Sequence, residues 1–125
     1  MNIKELTKAE EQVMQILWLL KEAMVKDIIE EMSDPKPAYN TVSTVVRVLE
    51  GKGFIDHKAY GNSHVYFSKI SESDYKKFTF DKMMKSYFSN SYQSLVSFIV
   101  DEKKLDVNDL DELSSLIDKL KNKKS

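Results

Sequence analysis

Residues 38–68 read AYNTVSTVVRVLEGKGFIDHKAYGNSHVYFS, and this stretch decides the fold. Val42, Val45, Val46 and Leu49 recur at helical spacing, so one face of a helix starting near Tyr39 is apolar and turned to a core. The other face carries Asn40, Ser43, Thr44 and Arg47, with Thr41 on its flank. Ser, Thr and Asn compete with the helix backbone for hydrogen bonds and are poor choices for a merely solvated face, where Lys and Glu normally stand. Short polar side chains with an arginine suit a helix that enters a DNA major groove. There hydroxyls and amides bond base edges or phosphates, and threonine methyls meet thymine methyls. Arg47, one turn further on, is placed to reach a guanine or a phosphate.

Gly51 and Gly53 bracket the end of this helix, with Gly53 positioned as a left-handed cap. From Phe54 the period changes to two. Residues 54–59 and 64–68 read as strands joined by a polar tip, Tyr60-Gly61-Asn62-Ser63, that contains a glycine. The hairpin leaves Lys58, Asn62, Ser63 and His64 near a phosphate backbone if the helix lies in the groove.

Working outward, Thr7-Lys8-Ala9-Glu10 is a capping box. Behind it Val13, Ile16, Leu17 and Leu20 predict a first helix from about Thr7 to Lys21, its stripe widened by Met14 and by Trp18 as a core residue. Residues 23–25 are short enough for a brief strand. Lys26 to Met32 predicts a second helix, closed by Ser33-Asp34-Pro35-Lys36-Pro37. Three helices and a hairpin in this order make a winged helix, with the second and third helices as helix-turn-helix and the hairpin as wing. Residues 1–70 therefore form a winged-helix DNA-binding domain.

Residues 71–125 differ in character. Three helices are expected: one capped by Ser71 or Ser73 and reaching Phe88, one around Leu95–Val100, and one from Leu110 to Leu120. Their apolar residues do not bury one another obviously. A second copy of the chain would cover them through a two-fold apolar interface, with Phe88, Leu95, Val96, Ile99, Leu113, Leu116, Ile117 and Leu120 as its contacts. Folding back onto the first helix is the alternative. A dimer would also give a small DNA reader two half-sites. The fold class is thus mainly α with a small β-hairpin: a winged helix-turn-helix domain followed by a helical dimerisation region.

The bulk composition is compatible with this and excludes much else. With 125 residues and 42% apolar content the chain can bury a real core, and 31% charged residues suit a soluble protein. No cysteine is present, which removes disulfides, zinc fingers and thiol nucleophiles. His57 and His64 cannot make a metal site by themselves, so neither metal nor cofactor is expected. Glycine-rich phosphate loops, nucleophile elbows and His-Glu metal patterns are missing, and carboxylates such as Glu10, Glu11, Glu30 and Glu31 fall on helix positions suited to solvation; an enzyme is not expected. No run approaches the ~18 apolar residues of a membrane span, and the first residues lack a signal-peptide core, so a cytoplasmic protein without membrane insertion is expected. Net charge is −1 overall, yet residues 36–69 balance to +3 while residues 1–35 balance to −4. The basic stretch coincides with the helix and hairpin quoted above.

Taken together, LTKAEEQVMQILW, NTVSTVVRVLEGKGFI, HVYF and SLVSFIVDEKKL, in this order and spacing, resemble the penicillinase-repressor family, the BlaI/MecI/CopY group of bacterial winged-helix regulators. The resemblance implies a homodimeric repressor of the antibiotic-resistance type on a partly palindromic double-stranded operator. It implies TACA/TGTA-like half-sites, base contacts from Asn40, Thr41, Ser43 and Thr44, and a C-terminal dimer clamp. It also implies a membrane sensor-protease partner that triggers cleavage within the clamp. The matching bond here is Phe98–Ile99, where the family's Asn is replaced by Phe98. Ala38 stands where the family often has a capping Ser or Thr, and Val48 where an arginine is common, with Arg47 beside it. The absence of a cysteine-rich tail excludes the copper-responsive branch. Two other readings remain open: a DNA-binding regulator released by a small-molecule effector in the aromatic C-terminal region, and a winged-helix protein-interaction module, which the near-neutral net charge favours.

Overall fold

The computed structural model describes residue 3 and residues 5–103 and 105–124. The chain divides into two compact units, residues 1–79 and 80–125. The winged-helix pattern ends at 70/71, but the first turns of the next helix belong to the first unit because Tyr75 and Phe78 pack on its core.

In that unit, α1 (Lys8–Leu20) starts at Thr7 as the sequence predicts. Thr7 Oγ1 accepts from the Glu10 backbone N–H and a Glu10 carboxylate oxygen accepts from the Thr7 N–H. A two-residue strand β1 (Glu22–Ala23) leads into α2 (Val25–Glu30), where Asp27 accepts from the Met24 N–H. The end of α2 is closed by a side chain: the Lys36 ammonium donates to the carbonyls of Met32 (2.7 Å), Glu30 (3.1 Å) and Ile29 (3.4 Å), where a helix C-terminus favours a cation. Then comes α3 (Tyr39–Gly51), followed by Gly53 at φ 85°, the left-handed residue expected there.

The hairpin is β2 (Ile55–Tyr60) and β3 (Ser63–Ser68), closed at Tyr60–Ser63. Its loop is only Gly61-Asn62, with glycine first at φ 61°, the arrangement of a II′ turn. β1 adds to the outer side of β3, giving an antiparallel sheet of order β1-β3-β2. The register pairs His57 with Tyr66 and Ala59 with His64, while Lys58 pairs with Val65. Successive strand residues alternate faces, so His57, His64 and Tyr66 share one face and Lys58, Val65 and Phe67 the other.

The core gathers Val13, Met14 and Leu17 of α1, Ile28 of α2, Val42, Val46 and Leu49 of α3, and Phe54 and Ile55 at the start of the hairpin. Trp18 is half-buried as a core residue, stacked obliquely on Tyr75 at 5.8 Å, and its indole N–H donates to Ser68 Oγ (3.1 Å) and the Ile70 carbonyl (2.9 Å). An ion pair joins α1 to the end of α3: Lys52 meets both oxygens of the buried Glu10 at 2.8 Å. Burial pushes the Glu10 carboxyl up, but the hydrogen bonds from Lys52 and Thr7 together outweigh it, and the group titrates below its ordinary value.

That depressed value has a sign. A carboxylate favoured in the folded state adds stability above its unfolded pKa and loses it as pH falls through the folded one. Wild type should therefore lose stability below about pH 4.5 through Glu10. In Lys52→Met the Lys52 hydrogen bonds are gone and only those of Thr7 remain to oppose burial, so the variant should be about 1–3 kcal/mol less stable at pH 7 and should gain, relative to wild type, on acidification. Urea midpoints at pH 7 and pH 4 check this; parallel pH profiles would discount the pair.

Helix α4 (Glu72–Phe88), whose start is capped by Ser71 accepting from the Asp74 N–H at 3.0 Å, begins in the first unit and ends in the second, where α5 (Tyr92–Lys103) and α6 (Val107–Lys124) follow. Ser89 and Asn90 take left-handed backbone (φ 50° and 60°), and the Asn90 N–H closes the end of α4 on the Met84 carbonyl. Ser91 and Asp106 cap the two following helices. Among the described residues of this unit, Met84 is the only buried hydrophobic side chain.

Candidate nucleic-acid interface

On α3, Asn40, Thr41, Thr44 and Arg47 are exposed and recur at one-turn spacing, forming a stripe along the helix. Thr44 Oγ1 donates to the Asn40 carbonyl at 2.8 Å, which leaves its oxygen lone pairs and its methyl for an external partner. Ser43 does not share the open face with these residues. It is 7% exposed, and its hydroxyl accepts from the Arg47 guanidinium at 3.2 Å. The position lies at the margin of the apolar stripe.

Beside this stripe the hairpin and the start of α2 enclose a cleft of about 590 Å³. Ser43, Arg47, Asn62, Ser63 and His64 line it, so helix and wing residues expected to act together are brought to one concavity. Lys26, Tyr39 and Tyr66 line it as well, and the sequence alone did not single them out. Lys26 opens a helix whose first turn is defined only once α2 is placed, and Tyr39 reads as an ordinary first helical residue. Tyr66 sits within an alternating strand. Burial first, and then the nearby Glu50 and Tyr39, push the Tyr66 phenol up against the opposing pull of Arg47, so it stays a neutral hydroxyl.

Lys58 stands apart from this group. The strand register puts it on the opposite face of the hairpin from His64, with its ammonium 5.6 Å from the Phe67 ring centre. The basic balance of residues 36–69 is also partly consumed inside the fold, since Lys36 closes α2 and Lys52 pairs with Glu10. The positive surface is accordingly smaller than the count implied. Behind the stripe, Glu50 of α3 contacts His57 of β2 through its carboxylate and the imidazole Nδ1, and His57 stacks on His64 with ring centres 4.3 Å apart.

The residues expected to form a clamp are distributed differently. Leu113, Leu116, Ile117 and Leu120 of α6 are between 41% and 52% exposed, and Val96 is 53% exposed. Leu95, Ile99 and Phe88 are half-buried, with Phe88 edge-on to Phe98 at 5.6 Å. The Phe98–Ile99 bond lies inside α5, with Phe98 48% exposed. Among the described residues no helix is long and apolar enough to cross a membrane.

Comparison with known proteins gives a consistent result. A family model described as Penicillinase repressor matches residues 6–119. The methicillin resistance regulatory protein MecI of Staphylococcus aureus (strain N315) is 33% identical over 116 residues, covering 92% of this chain and 94% of its own. The penicillinase repressor of Bacillus licheniformis is 25% identical over 124 residues, 98% and 97% of the two chains. Among solved structures, the DNA-binding domain of the repressor BlaI is similar at a TM-score of 0.51. The Bacillus licheniformis BlaI monomer in complex with the blaP half-operator matches at 0.50, with 31% identity over 59% of this chain and 92% of that one. A winged helix built on this core, matched along nearly its full length, places the chain in the penicillinase repressor family.

Proposed function

We propose that this chain is a homodimeric transcriptional repressor that reads a palindromic operator through α3 and the hairpin. The observation that carries the reading is the exposed stripe Asn40, Thr41, Thr44 and Arg47 running beside a cleft flanked by Asn62, Ser63 and His64. The stripe has the width of a helix seated in a major groove, and the wing residues stand where the adjacent backbone would run. The similar BlaI structure is of a monomer on a half-operator, which supports one winged helix per half-site. In this reading Asn40 and Thr41 face base edges, the Thr44 methyl meets a thymine, and Arg47, braced by Ser43, holds a phosphate. Lys58 acts at the outer face of the wing.

The C-terminal unit closes the dimer. A segment of 46 residues whose described part buries one hydrophobic side chain cannot be stable by itself, and a second copy supplies the missing apolar surface. Relief of repression follows from a cut at Phe98–Ile99 by a membrane-linked protease pathway, because that cut removes all of α6 at once. The bond must leave its helical geometry to be cut, and the Phe98 side chain beside it is half-exposed rather than held in a closed core.

The test uses gel shifts on duplexes with two TACA/TGTA-like half-sites against random duplex at fixed salt. Asn40→Ala and Thr44→Ala should each lose about 1–3 kcal/mol of specific affinity, roughly 5- to 150-fold, with helicity and random-duplex binding unchanged. Unchanged operator affinity in both variants would remove α3 as the reading helix.

A further inference from the structure

Directly behind the reading stripe, three donors from two elements converge. Glu50 comes from the last turn of α3, and Asp56 and His57 come from the start of β2; one ligand atom from each lies within 4.8 Å of the others. We propose that Glu50, Asp56 and His57 form a site for a divalent first-row cation, with zinc as its type, that ties α3 to the first strand of the hairpin. One imidazole and two carboxylates are a borderline-to-hard donor set that suits zinc, cobalt or manganese. The site is independent of whether α3 reads DNA.

The three ligand atoms lie within reach of one cation. Donors of a tetrahedral zinc with bonds of about 2.1 Å stand about 3.4 Å apart, so the Glu50 carboxylate must draw back from His57 Nδ1, and the Asp56 carboxylate, which now accepts from the His57 N–H at 2.8 Å, must turn toward the ion. Both have room, Asp56 being exposed and Glu50 half-exposed. Their backbone positions are fixed, Glu50 by α3 and Asp56 and His57 by the β2–β3 ladder. His57 already presents Nδ1 to the Glu50 carboxylate, and a cation at that point replaces the proton they share. Two carboxylates this close repel one another, and a divalent cation between them offsets that repulsion.

His64 is not a ligand. Its ring lies nearly parallel to that of His57, 14° between planes, and imidazole lone pairs lie in the ring plane, so its nitrogens do not aim at the ion that Nδ1 of His57 would hold. It shields one face of His57, and the fourth position is left to water. A bound cation would fix the angle between the hairpin and α3, since its ligands sit on both.

The test is calorimetric titration of the full chain with zinc, supported by the visible absorption of the cobalt form. Expected are one equivalent per chain with micromolar affinity and a higher melting temperature of the loaded protein. His57→Gln and Asp56→Asn should each weaken binding by at least about tenfold, while His64→Gln should stay within about threefold of wild type. Asp56 is exposed, so its variant folds and circular dichroism can verify it. Absence of saturable binding overturns the proposal. So does binding that survives Asp56→Asn and falls equally in His57→Gln and His64→Gln, which would mark a surface histidine pair.

Discussion

The double variant Leu116→Glu, Ile117→Glu is expected to be monomeric and to bind a two-half-site operator about 10²- to 10⁴-fold more weakly than wild type, while its affinity for a single half-site is unchanged. Both side chains stand half in water on α6 (52% and 51% exposed), so the substitutions cost the isolated chain little packing. Glutamate is a good helix former, and α6 should persist. In the proposed dimer the same positions are dry, and two carboxylates per chain facing their symmetry mates are desolvated and repelled. The loss on the full operator then comes from effective concentration alone, since no DNA contact is altered. Light scattering gives the mass, and paired gel shifts on full and half operators give the affinities. A dimer of unchanged stability would move the clamp away from α6.

The second large effect is on stability. Phe54→Ala is expected to cost about 3–5 kcal/mol, a large share of the stability of a domain this size, with a correspondingly lowered urea midpoint. Phe54 is fully buried where α3 hands over to the hairpin, and it meets Tyr75 of α4 edge-on at 6.1 Å. Its backbone is held on both sides, N–H to the Leu49 carbonyl (3.0 Å) and carbonyl from the Lys69 N–H (2.8 Å), so the void cannot collapse easily. Operator binding should fall with it, although every candidate contact residue is intact. A loss below about 1 kcal/mol would mean that the neighbouring side chains repack into the space.

Much of this architecture was legible before the structure because the deciding signals are local. The Thr7–Glu10 box, the left-handed Gly53 and the Val42, Val46, Leu49 stripe depend only on residues within a turn or two of one another. Three features were not legible, each for a specific reason. Ser43 sits one position from Val42, and whether it faces water depends on how closely α2 and the hairpin approach α3. Lys58 and His64 both belong to a polar alternating strand pair, and only the register Lys58–Val65, Ala59–His64 puts them on opposite faces. Lys36 and Lys52 count as positive charge in the sequence, but their partners, the carbonyls of α2 and the Glu10 carboxylate 42 positions away, are known only in three dimensions. The clustering of Glu50, Asp56 and His57 is of the same kind, a product of the turn that folds β2 back beside the end of α3.

Trp18 is the only tryptophan of the chain, and its position makes it an optical gauge. The indole N–H is bonded at the foot of β3 and at Ile70, while its ring rests on Tyr75 in the first turn of α4. The wing's base and the root of the C-terminal helices therefore meet at one fluorophore. Emission excited selectively at the indole reports, with no label attached, whether the foot of β3 and the first turn of α4 stay seated on α1.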